Sequence, residues 1–576
     1  MKLFIKISLW ILIALLPTVG IVLLLTDYDT FCHVVVTITG TAHKEKQFKE
    51  IFLPPQKFID YRYCFTVFSL LFEPALFFML KRTDQLSNNL KIIGSAIKYA
   101  LSGLYNFYKD LPITEKSVLG GIIFMGWLST LYYTFTSPVA VDEALTYLYC
   151  TRYSALVSST YYSLPNNHIF FSILTNVTSI LPFSTLINLR ISNIFIVLFT
   201  NFLFFKYASK FFSNGISLIC LSLFTFSFMN FLYSFQARGY ELVLATALIV
   251  LYSVTKITEN GIQSRKYFVY YSIASIIGFY TVPSFLYVFT AITLFGYFSL
   301  LWNKRYFFTK QLFISNFIIG CGVLLLYTPV IVINGLKSIT ANPYTKPISR
   351  HSVLDKIIPH FEEIGSWTFG IENGSISLIL MVLSVLVLFM SGLKDANSSK
   401  IRLLTAVLLS APILVLLHSV IAFPRTWIFL SIPIFISLGI VLNYFSLSFN
   451  KPKVYIPIVT AIIIVQLWSF GQFHRKIFEF DYSMEEAVSK VDISNTTTIG
   501  YEDINCADIL KYTVVTSKRN KMNIDLLNSD SANCYNADII VLSHGMPDFI
   551  SLMPDKYTIV STSNNKSGIL LLKKKI

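Results

Sequence analysis

Charged residues are scarce in this chain. Asp, Glu, Lys and Arg make up only 13% of its 576 residues, whereas soluble domains carry about 25%, so the shortage argues against an ordinary soluble multidomain protein. The sequence also lacks internal repeats and low-complexity tracts, and its 7 cysteines are too few for a disulfide-dense secreted scaffold. The high apolar content excludes a disordered chain and a collagen.

Bulky apolar residues are what the chain has instead. Hydrophobic residues make up 54% and aromatic residues 16%, with 51 Phe and 33 Tyr, and the mean hydropathy is +0.62. The net charge of +15 does not indicate a nucleic-acid partner, because basic residues at the ends of apolar runs serve membrane orientation first. The sequence therefore predicts an all-α polytopic membrane protein.

About thirteen apolar runs reach the roughly 20 residues that a helix needs to cross a bilayer. Whether one further apolar segment, 166–182, crosses the membrane is decided by the positive-inside rule. The later basic loops lie on the same side as the basic segment 81–116 only if 166–182 does not cross. We predict a juxtamembrane hairpin or half-buried helix there, on the outer face. The predicted spans are 7–25, 61–80, 117–136, 188–206, 214–232, 240–256, 267–284, 285–302, 312–332, 373–392, 401–421, 426–445 and 454–472.

The same rule places the N-terminus inside, and thirteen crossings then put the C-terminal end outside. One loop departs from the positive-inside rule, because 26–60 is placed outside yet contains four lysines. Usage rich in Lys, Asn and Ile is compatible with an AT-rich bacterial genome. We therefore predict a protein of the bacterial inner (plasma) membrane whose outer loops and C-terminal domain are periplasmic.

The spans divide the chain into three predicted parts. Residues 1–116 form a two-span extension with a cytoplasmic amphipathic helix within 88–110, residues 117–472 form the transmembrane core, and residues 473–576 form a small extracytoplasmic α/β domain. Ser483 and Glu486 predict a capping box before a short helix. Cys506 and Cys534 lie in this domain, and whether they are bridged stays open. The predicted strands are 496–501, 537–542, 557–560 and 569–572, with a helix near 503–512.

Asp142 and Glu143 follow the span 117–136 in an aromatic-rich outer loop. Paired carboxylates at such a place can supply a general base, and we name both as candidate catalytic residues. The alternative is a solvated loop with two ordinary acids. Downstream, Asn167 and His168 open the segment 166–182 and are candidate substrate-binding residues, against the alternative of a capped helix start.

Two short outer turns each contain an isolated arginine. Arg238 lies between Gln236 and Tyr240, and Arg425 follows Pro424. We name Gln236, Arg238, Tyr240 and Arg425 as candidate substrate-binding residues. A cation at the membrane edge, where orientation favours none, is a functional candidate by default, and the guanidinium fork suits a phosphate. The alternative for Arg238 is an internal ion pair with Glu241. The longer outer loop 335–370 is either a lid over a substrate or a structural cover.

In this order, these segments resemble motifs of the GT-C superfamily of polytopic glycosyltransferases, in the branch of protein O-mannosyltransferases and lipid A aminoarabinose transferases. The resemblance covers roughly 117–445. Two features depart from it: the His-Pro-Pro element is replaced, and about 115 residues precede the core. The matched segments are Asp142-Glu143 for the acidic motif, Pro165-Asn166-Asn167-His168 for the His-Pro-Pro element, Tyr233 to Tyr240 for the Tyr-Ser-Gln-Glu-Ala-Arg-x-Tyr turn, and Pro424-Arg425 with Trp427 for the Pro-Arg turn.

The resemblance implies transfer of a sugar from a polyprenyl-phosphate donor to a glycan, lipid or protein acceptor on the outer face. Asp142 would act as base, with Glu143 assisting or binding a divalent cation, although no cofactor is established by the sequence. Arg238 and Arg425 would hold the donor phosphate. An alternative function is that of a polytopic transporter or lipid flippase of the cell envelope. The near absence of charged residues within the spans argues against it. A third interpretation is a non-catalytic membrane scaffold.

Overall fold

Helices dominate the computed structural model. The chain is described over residues 2–38, 49, 53–162, 165–259, 265–340, 346–394, 398–445, 447–490, 496–517, 524–528, 536–542, 557–562 and 570–575. Cys534 lies outside these residues, as does Tyr344 of the predicted lid loop.

In its described residues, the N-terminal extension contains four helices. Helices α1 and α3 pack along each other through Ile5, Leu9, Ile13 and Leu76. Helix α4 covers the predicted amphipathic segment 88–110 and begins earlier than expected, because Thr83 continues almost directly from α3. The four helices are α1 (Lys2–Leu25), α2 (Tyr28–Ile38), α3 (Pro55–Lys81) and α4 (Thr83–Asp110).

The core begins with one long helix and a group of short ones. Helix α8, within the ambiguous segment 166–182, has 10 residues, which is too short to cross a bilayer. The segment therefore contains a short helix, as expected, and its position at the outer membrane surface stays a prediction. These elements are α5 (Ile113–Thr136), α6 (Val141–Thr146), a π-helical turn (Tyr147–Thr151), α7 (Ala155–Thr160) and α8 (Ile169–Thr178).

The rest of the core is a bundle of long apolar helices. Helices α10 and α11 are bent by 61° at their junction. In the described residues, 11 helices are long and apolar enough to cross a membrane, or up to 12 if the bent pair is one span. The remaining predicted span, 267–284, corresponds to α13, which has 17 residues. The helices are α9 (Thr185–Ala208), α10 (Asn214–Phe226), α11 (Phe228–Phe235), α12 (Tyr240–Thr258), α13 (Arg265–Thr281), α14 (Leu286–Trp302), α15 (Tyr306–Asn334), α16 (Lys337–Thr340), α17 (Arg350–Phe369), α18 (Gly374–Lys394), α19 (Ser398–His418), α20 (Ser431–Phe445) and α21 (Pro452–Ile477), with 3-10 turns at Pro283–Phe285, Pro424–Leu430 and Leu447–Asn450.

Over its described residues, the C-terminal domain is a five-stranded mixed sheet with two helices. Its strand order is β2-β1-β3-β5-β4; β1 is parallel to β2 and β3, and β5 is antiparallel to β3 and β4. Strand β2 was not predicted, because its four residues contain only two apolar ones. The elements are α22 (Glu479–Ser489), β1 (Thr498–Tyr501), α23 (Ile504–Ser517), β2 (Asp525–Asn528), β3 (Ile539–Leu542), β4 (Tyr557–Thr562) and β5 (Leu570–Lys574).

The predicted capping box at Ser483 is wrong. Helix α22 starts at Glu479, so Ser483 lies inside it and is buried. The apolar spacing of the segment continues upstream of Ser483, and the helix follows that spacing. Acidic residues in the first turn, Glu479 and Asp481, favour this start by complementing the helix dipole.

The C-terminal domain packs directly on the short helix α6. Met484 and Ala487 of α22 share one apolar cluster with Ala144 and Leu148. The hydroxyl of Tyr149 donates a hydrogen bond to Asp508 Oδ1 at 3.3 Å. The domain therefore supports the segment that carries the acidic pair.

Candidate active site

A cavity of about 380 Å³ opens where α6, α12, α14 and α19 meet. Asp142, in the first turn of α6, reaches this cavity, and so do Arg238 and Arg425 from the two short turns. Three of the predicted site segments, far apart in sequence, thus meet at one place. The cavity is lined by Asp142, Leu145, Tyr162, Pro165, Asn166, Arg238, Tyr240, Val282, Pro283, Ser284, Leu286, Tyr287, Ile339, Thr340, His418, Ala422, Phe423, Arg425 and Thr426.

Asp142 lies between two guanidinium groups. Its Oδ2 atom is 3.2 Å from Nη2 of Arg425 and 3.8 Å from Nη2 of Arg238. Burial would raise the pKa of Asp142, but the charges of Arg238 and then Arg425 outweigh it and lower the pKa. Asp142 is therefore ionised, and the trio has a net positive charge that suits an anionic ligand.

The guanidinium of Arg238 is held in place by hydrogen bonds to Asn166. Its Nη1 donates to the backbone carbonyl of Asn166 at 2.8 Å and to the Asn166 side-chain oxygen. The residue is 2% exposed. Within the described part of the chain, Nε of Arg238 has no hydrogen-bond partner, so one donor is left over. The guanidinium is fixed in orientation before any ligand arrives.

His168 supports the turn that follows this arginine. The backbone N–H of Gly239 donates to His168 Nδ1 at 2.8 Å, and Arg238 Nη2 lies 3.1 Å from Nε2. Burial, Arg238 and Arg425 hold the pKa of His168 well below its usual range, so the ring is neutral. Gly239 is required here, since a Cβ would lie 2.4 Å from Thr281 Cγ2.

Glu143 faces away from the cavity and is fully buried. Its Oε2 is 2.5 Å from Nη2 of Arg190, and its Oε1 accepts from Arg190 Nε at 2.8 Å. The same carboxylate accepts from the backbone N–H of Ala237 at 2.6 Å and of Ala140 at 3.0 Å. Glu143 therefore ties α6 to α9 and to the turn that carries Arg238.

A second, apolar space of about 400 Å³ adjoins the cavity. Both spaces share Pro283, Leu286 and Ile339 in their walls. Leu286 and Leu324 in the groove are 53% and 63% exposed on helices whose composition suits lipid contact. The charged cavity thus continues into an apolar groove on the lipid side of α14 and α15.

The fold has solved counterparts, although the sequence matches no known family profile and no curated protein. A crystal structure of ArnT from Cupriavidus metallidurans bound to undecaprenyl phosphate aligns with 79% of this chain and 98% of its own, at a TM-score of 0.50 and 11% identity. A structure of the same protein in the apo state aligns with 77% of this chain and 96% of its own, at a TM-score of 0.49 and 11% identity. ArnT is a lipid A aminoarabinose transferase and a GT-C glycosyltransferase.

The fold is the GT-C fold. The resemblance expected from the motifs is confirmed at this level, and so is the predicted class of polytopic helical protein with a small C-terminal sheet. Because the aligned region covers nearly all of ArnT but only 79% of this chain, about a fifth of this chain is additional to that GT-C structure.

Within the GT-C fold, the candidate residues separate into two groups. Asp142, Arg238, Tyr240 and Arg425 line the cavity. The other four, Glu143, Asn167, Gln236 and His168, are buried outside the set of residues that line it. Asn167 is engaged through its amide, which donates to the carbonyls of Ser158 at 2.7 Å and Tyr161 at 2.8 Å.

Sequence reasoning missed several residues of the site. Arg190 went unnoticed within the span 188–206, although a lone arginine in an apolar run is a signal in itself. Tyr287 and His418 line the cavity together, with the tyrosine hydroxyl 3.0 Å from His418 Nδ1. Both lie at the ends of predicted spans, where polar aromatic residues are common and therefore not distinctive.

No group of three or more His, Cys, Asp or Glu side chains that could hold a metal ion occurs among the described residues. The surroundings of Asp142 are cationic, whereas a hard divalent cation prefers several oxygen ligands. Both carboxylate oxygens of Glu143 already accept hydrogen bonds from Arg190 and from backbone amides. The residues at this site fit an anion better than a cation.

Proposed function

We propose that this protein is a membrane glycosyltransferase that takes a sugar from a polyprenyl-phosphate donor and transfers it to an acceptor hydroxyl at the outer membrane face. One observation carries the proposal: Asp142, between Arg238 and Arg425, lies in a cavity that continues into an apolar groove. Such a pair of spaces fits a ligand with an anionic headgroup and a long apolar tail. The ArnT structure, with its bound undecaprenyl phosphate, supports a ligand of this class.

The chemistry follows from the charges at the cavity. In a single displacement, the acceptor oxygen bonds to the anomeric carbon, the bond from that carbon to the phosphate oxygen breaks, and the configuration inverts. Asp142 accepts the acceptor's proton as general base. The leaving polyprenyl phosphate gains negative charge, which Arg238 and Arg425 stabilise where it develops.

Donor binding would also prepare the base. In the free protein both arginines keep the pKa of Asp142 low, which makes its carboxylate a weak proton acceptor. A phosphate bound between the arginines would draw their charge away from Asp142 and raise its basicity. The base would thus be strongest when the donor is in place.

Other residues would act by positioning Asp142, Arg238 and Arg425 or by contacting the ligand beside them. Glu143, His168 and Asn167 would position α6 and the turn of Arg238, and Tyr240 would contact the ligand in the cavity. A sugar on a lipid carrier needs no soluble nucleotide pool, which accords with the absence of a DxD-like motif in the sequence of the inner loops. We place the site on the periplasmic side of a bacterial inner membrane, in accord with the basic loops at the opposite end.

The test uses the purified full-length protein in lipid nanodiscs, with undecaprenyl-phosphate sugars as donors, a set of glycan, lipid and peptide acceptors, and release of undecaprenyl phosphate as the readout. Asp142→Asn should lower release by roughly 10²–10⁴-fold while retaining lipid binding, and Arg238→Ala should weaken binding of undecaprenyl phosphate. Glu372→Gln, an exposed carboxylate paired with Lys476, is the matched control. Full activity in both site variants would overturn the proposal. Movement of the lipid between leaflets with no bond broken would favour the flippase instead.

A further inference from the structure

The end of the helix bundle opposite the cavity carries a basic cluster, consisting of Lys210, Lys256 and Lys400 around Glu259. Lys256 Nζ lies 2.5 Å from Glu259 Oε2, and Lys400 Nζ lies 3.0 Å from Oε1. These residues come from the ends of α9, α12 and α19. Chain segments that are far apart in sequence thus bring their charges to one point.

The cluster is remote from the cavity. Helix α12 runs from Tyr240, in the cavity wall, to Thr258, immediately before Glu259. The 16 residue steps from Tyr240 to Lys256 correspond to about 24 Å at about 1.5 Å per residue, nearly the thickness of a bilayer core. A ligand at the cluster would therefore lie at the opposite membrane face from the proposed donor.

The positive charge of the cluster is not balanced within the described residues. Each oxygen of Glu259 already has its own lysine, and within the described part of the chain no carboxylate lies within ion-pair distance of Lys210. The side chains of Lys256 and Lys400 are only 17% and 15% exposed. Cations withdrawn from water in this way are costly unless an anion accompanies them.

Lys210 responds to this crowding. Burial, followed by the charges of Lys256 and Lys400, lowers the pKa of Lys210, and Glu259 opposes the shift. An additional anion between the lysines would relieve the repulsion. General membrane orientation requires cations at this end, but it does not require three lysines to converge on one carboxylate.

Neighbouring contacts link the cluster to the bilayer surface. Lys206, one turn before Lys210, donates from Nζ to the carbonyl of Gly103 in the amphipathic helix α4 at 2.9 Å. Arg305 donates to the carbonyl of Glu259 at 2.9 Å. The cluster thus lies at the ends of apolar helices, beside a helix with the character of an in-plane surface helix.

We propose that the basic cluster binds the headgroup phosphate of an anionic phospholipid in the leaflet that meets this end of the bundle. The lysine ammonium groups at the ends of α9, α12 and α19 provide several donors to a phosphate. A lipid is favoured over a free phosphate because the cations converge at the point where these helices leave the bilayer.

The test is native mass spectrometry of the purified full-length protein titrated with phosphatidylglycerol, with phosphatidylcholine and inorganic phosphate as comparison ligands. The wild type should bind phosphatidylglycerol in preference to phosphatidylcholine. Lys210→Gln, Lys256→Gln and Lys400→Gln should each weaken this binding about fivefold, the effect of one lysine near an anionic surface. Glu259→Gln should strengthen it, because the competing carboxylate is removed.

The matched control is Lys304→Gln, an exposed lysine at the same end of the bundle that lies outside the cluster. Its phosphatidylglycerol binding should equal that of the wild type. An equal loss in Lys304→Gln, or no preference of the wild type for phosphatidylglycerol over phosphatidylcholine, would overturn the proposal. Displacement of the lipid by millimolar inorganic phosphate would identify a soluble phosphate as the ligand and would also overturn it.

Discussion

Two ion-pair sites lie on adjacent residues of the short helix α6. The open site is Asp142 with Arg238 and Arg425, and the closed site is Glu143 with Arg190. The side chain of Asp142 is 32% exposed and faces two arginines across a cavity, whereas that of Glu143 is fully buried against Arg190. Successive residues of a helix point about 100° apart, so an Asp-Glu pair in a first turn addresses two environments at once. One carboxylate is then available for chemistry because the other holds the helix in place.

The largest expected effect comes from the open site. Asp142→Asn keeps the shape of the side chain but removes the proposed base, so sugar transfer should fall by roughly 10²–10⁴-fold. Thermal unfolding in detergent should change little, because a partly exposed group is removed. A variant that unfolds instead would show that the open site is structural, and the contrast with Glu143 would disappear.

The closed site should respond in the opposite way. Glu143→Ala leaves Arg190 buried without its partner, which should cost about 3–5 kcal/mol of folding stability. Thermal unfolding of the purified protein measures this loss. Glu372→Ala is the control, since an exposed pair is worth about 0–1 kcal/mol. Unchanged stability in Glu143→Ala would contradict the role assigned to the buried pair.

The arginines of the open site sharpen the comparison further. Arg425→Lys should weaken binding of undecaprenyl phosphate by roughly ten- to hundredfold, or about 1.5–3 kcal/mol, because an ammonium cannot replace a bidentate fork. We expect the same loss in Arg238→Lys, with folding and membrane insertion preserved in both. Equal affinity in both lysine variants would mean that the phosphate binds elsewhere.

The smallest expected change, measured over a single pH unit, is a slope of folding stability with pH. Burial, followed by the charges of Glu143 and Asp142, raises the pKa of Asp481 to about 7. Its unfolded value is about 3.9, so the folded state holds a proton that the unfolded state has lost between these values. Stability should therefore fall as pH rises from about 4 towards 7, by at most about 1.4 kcal/mol per unit.

Asp481→Asn removes this titration. Relative to the variant, the wild type should become progressively less stable up to about pH 7, and the difference should then remain constant. Urea or thermal unfolding across this range measures both proteins. Parallel stability curves from pH 4 to 7 would contradict the raised pKa of Asp481.

Much of the fold follows from composition, because apolar runs of bilayer length leave few alternatives to helices. The runs 7–25 and 373–392, for example, coincide with α1 and α18. The short elements were harder. Strand β2 has too few apolar residues to be recognised and is held by its pairing with β1, about which its own four residues carry little information. The start of α22 at Glu479 was missed because the capping-box pattern at Ser483 was preferred to the apolar spacing upstream.

The site was predictable in part. Asp142, Arg238 and Arg425 could be named because polar groups in short outer turns are conspicuous against an apolar background. The separation of Asp142 from Glu143 could not, since it depends on Arg190, which is 47 residues from Glu143 in the chain. His168 was expected to bind substrate, yet its contact with the Gly239 amide becomes visible only when α8 and α12 are brought together.

The apolar groove along α14 and α15 affects how the proposed lipid carrier reaches the cavity. A molecule that enters along α14 and α15 arrives from within the membrane plane, so its encounters depend on the number of carriers per unit area rather than on a bulk concentration. Dilution of the surrounding medium would leave that rate unchanged, whereas expansion of the membrane with inert lipid would lower it. Saturation curves for the protein are therefore most meaningful when the carrier is expressed as a mole fraction of the bilayer.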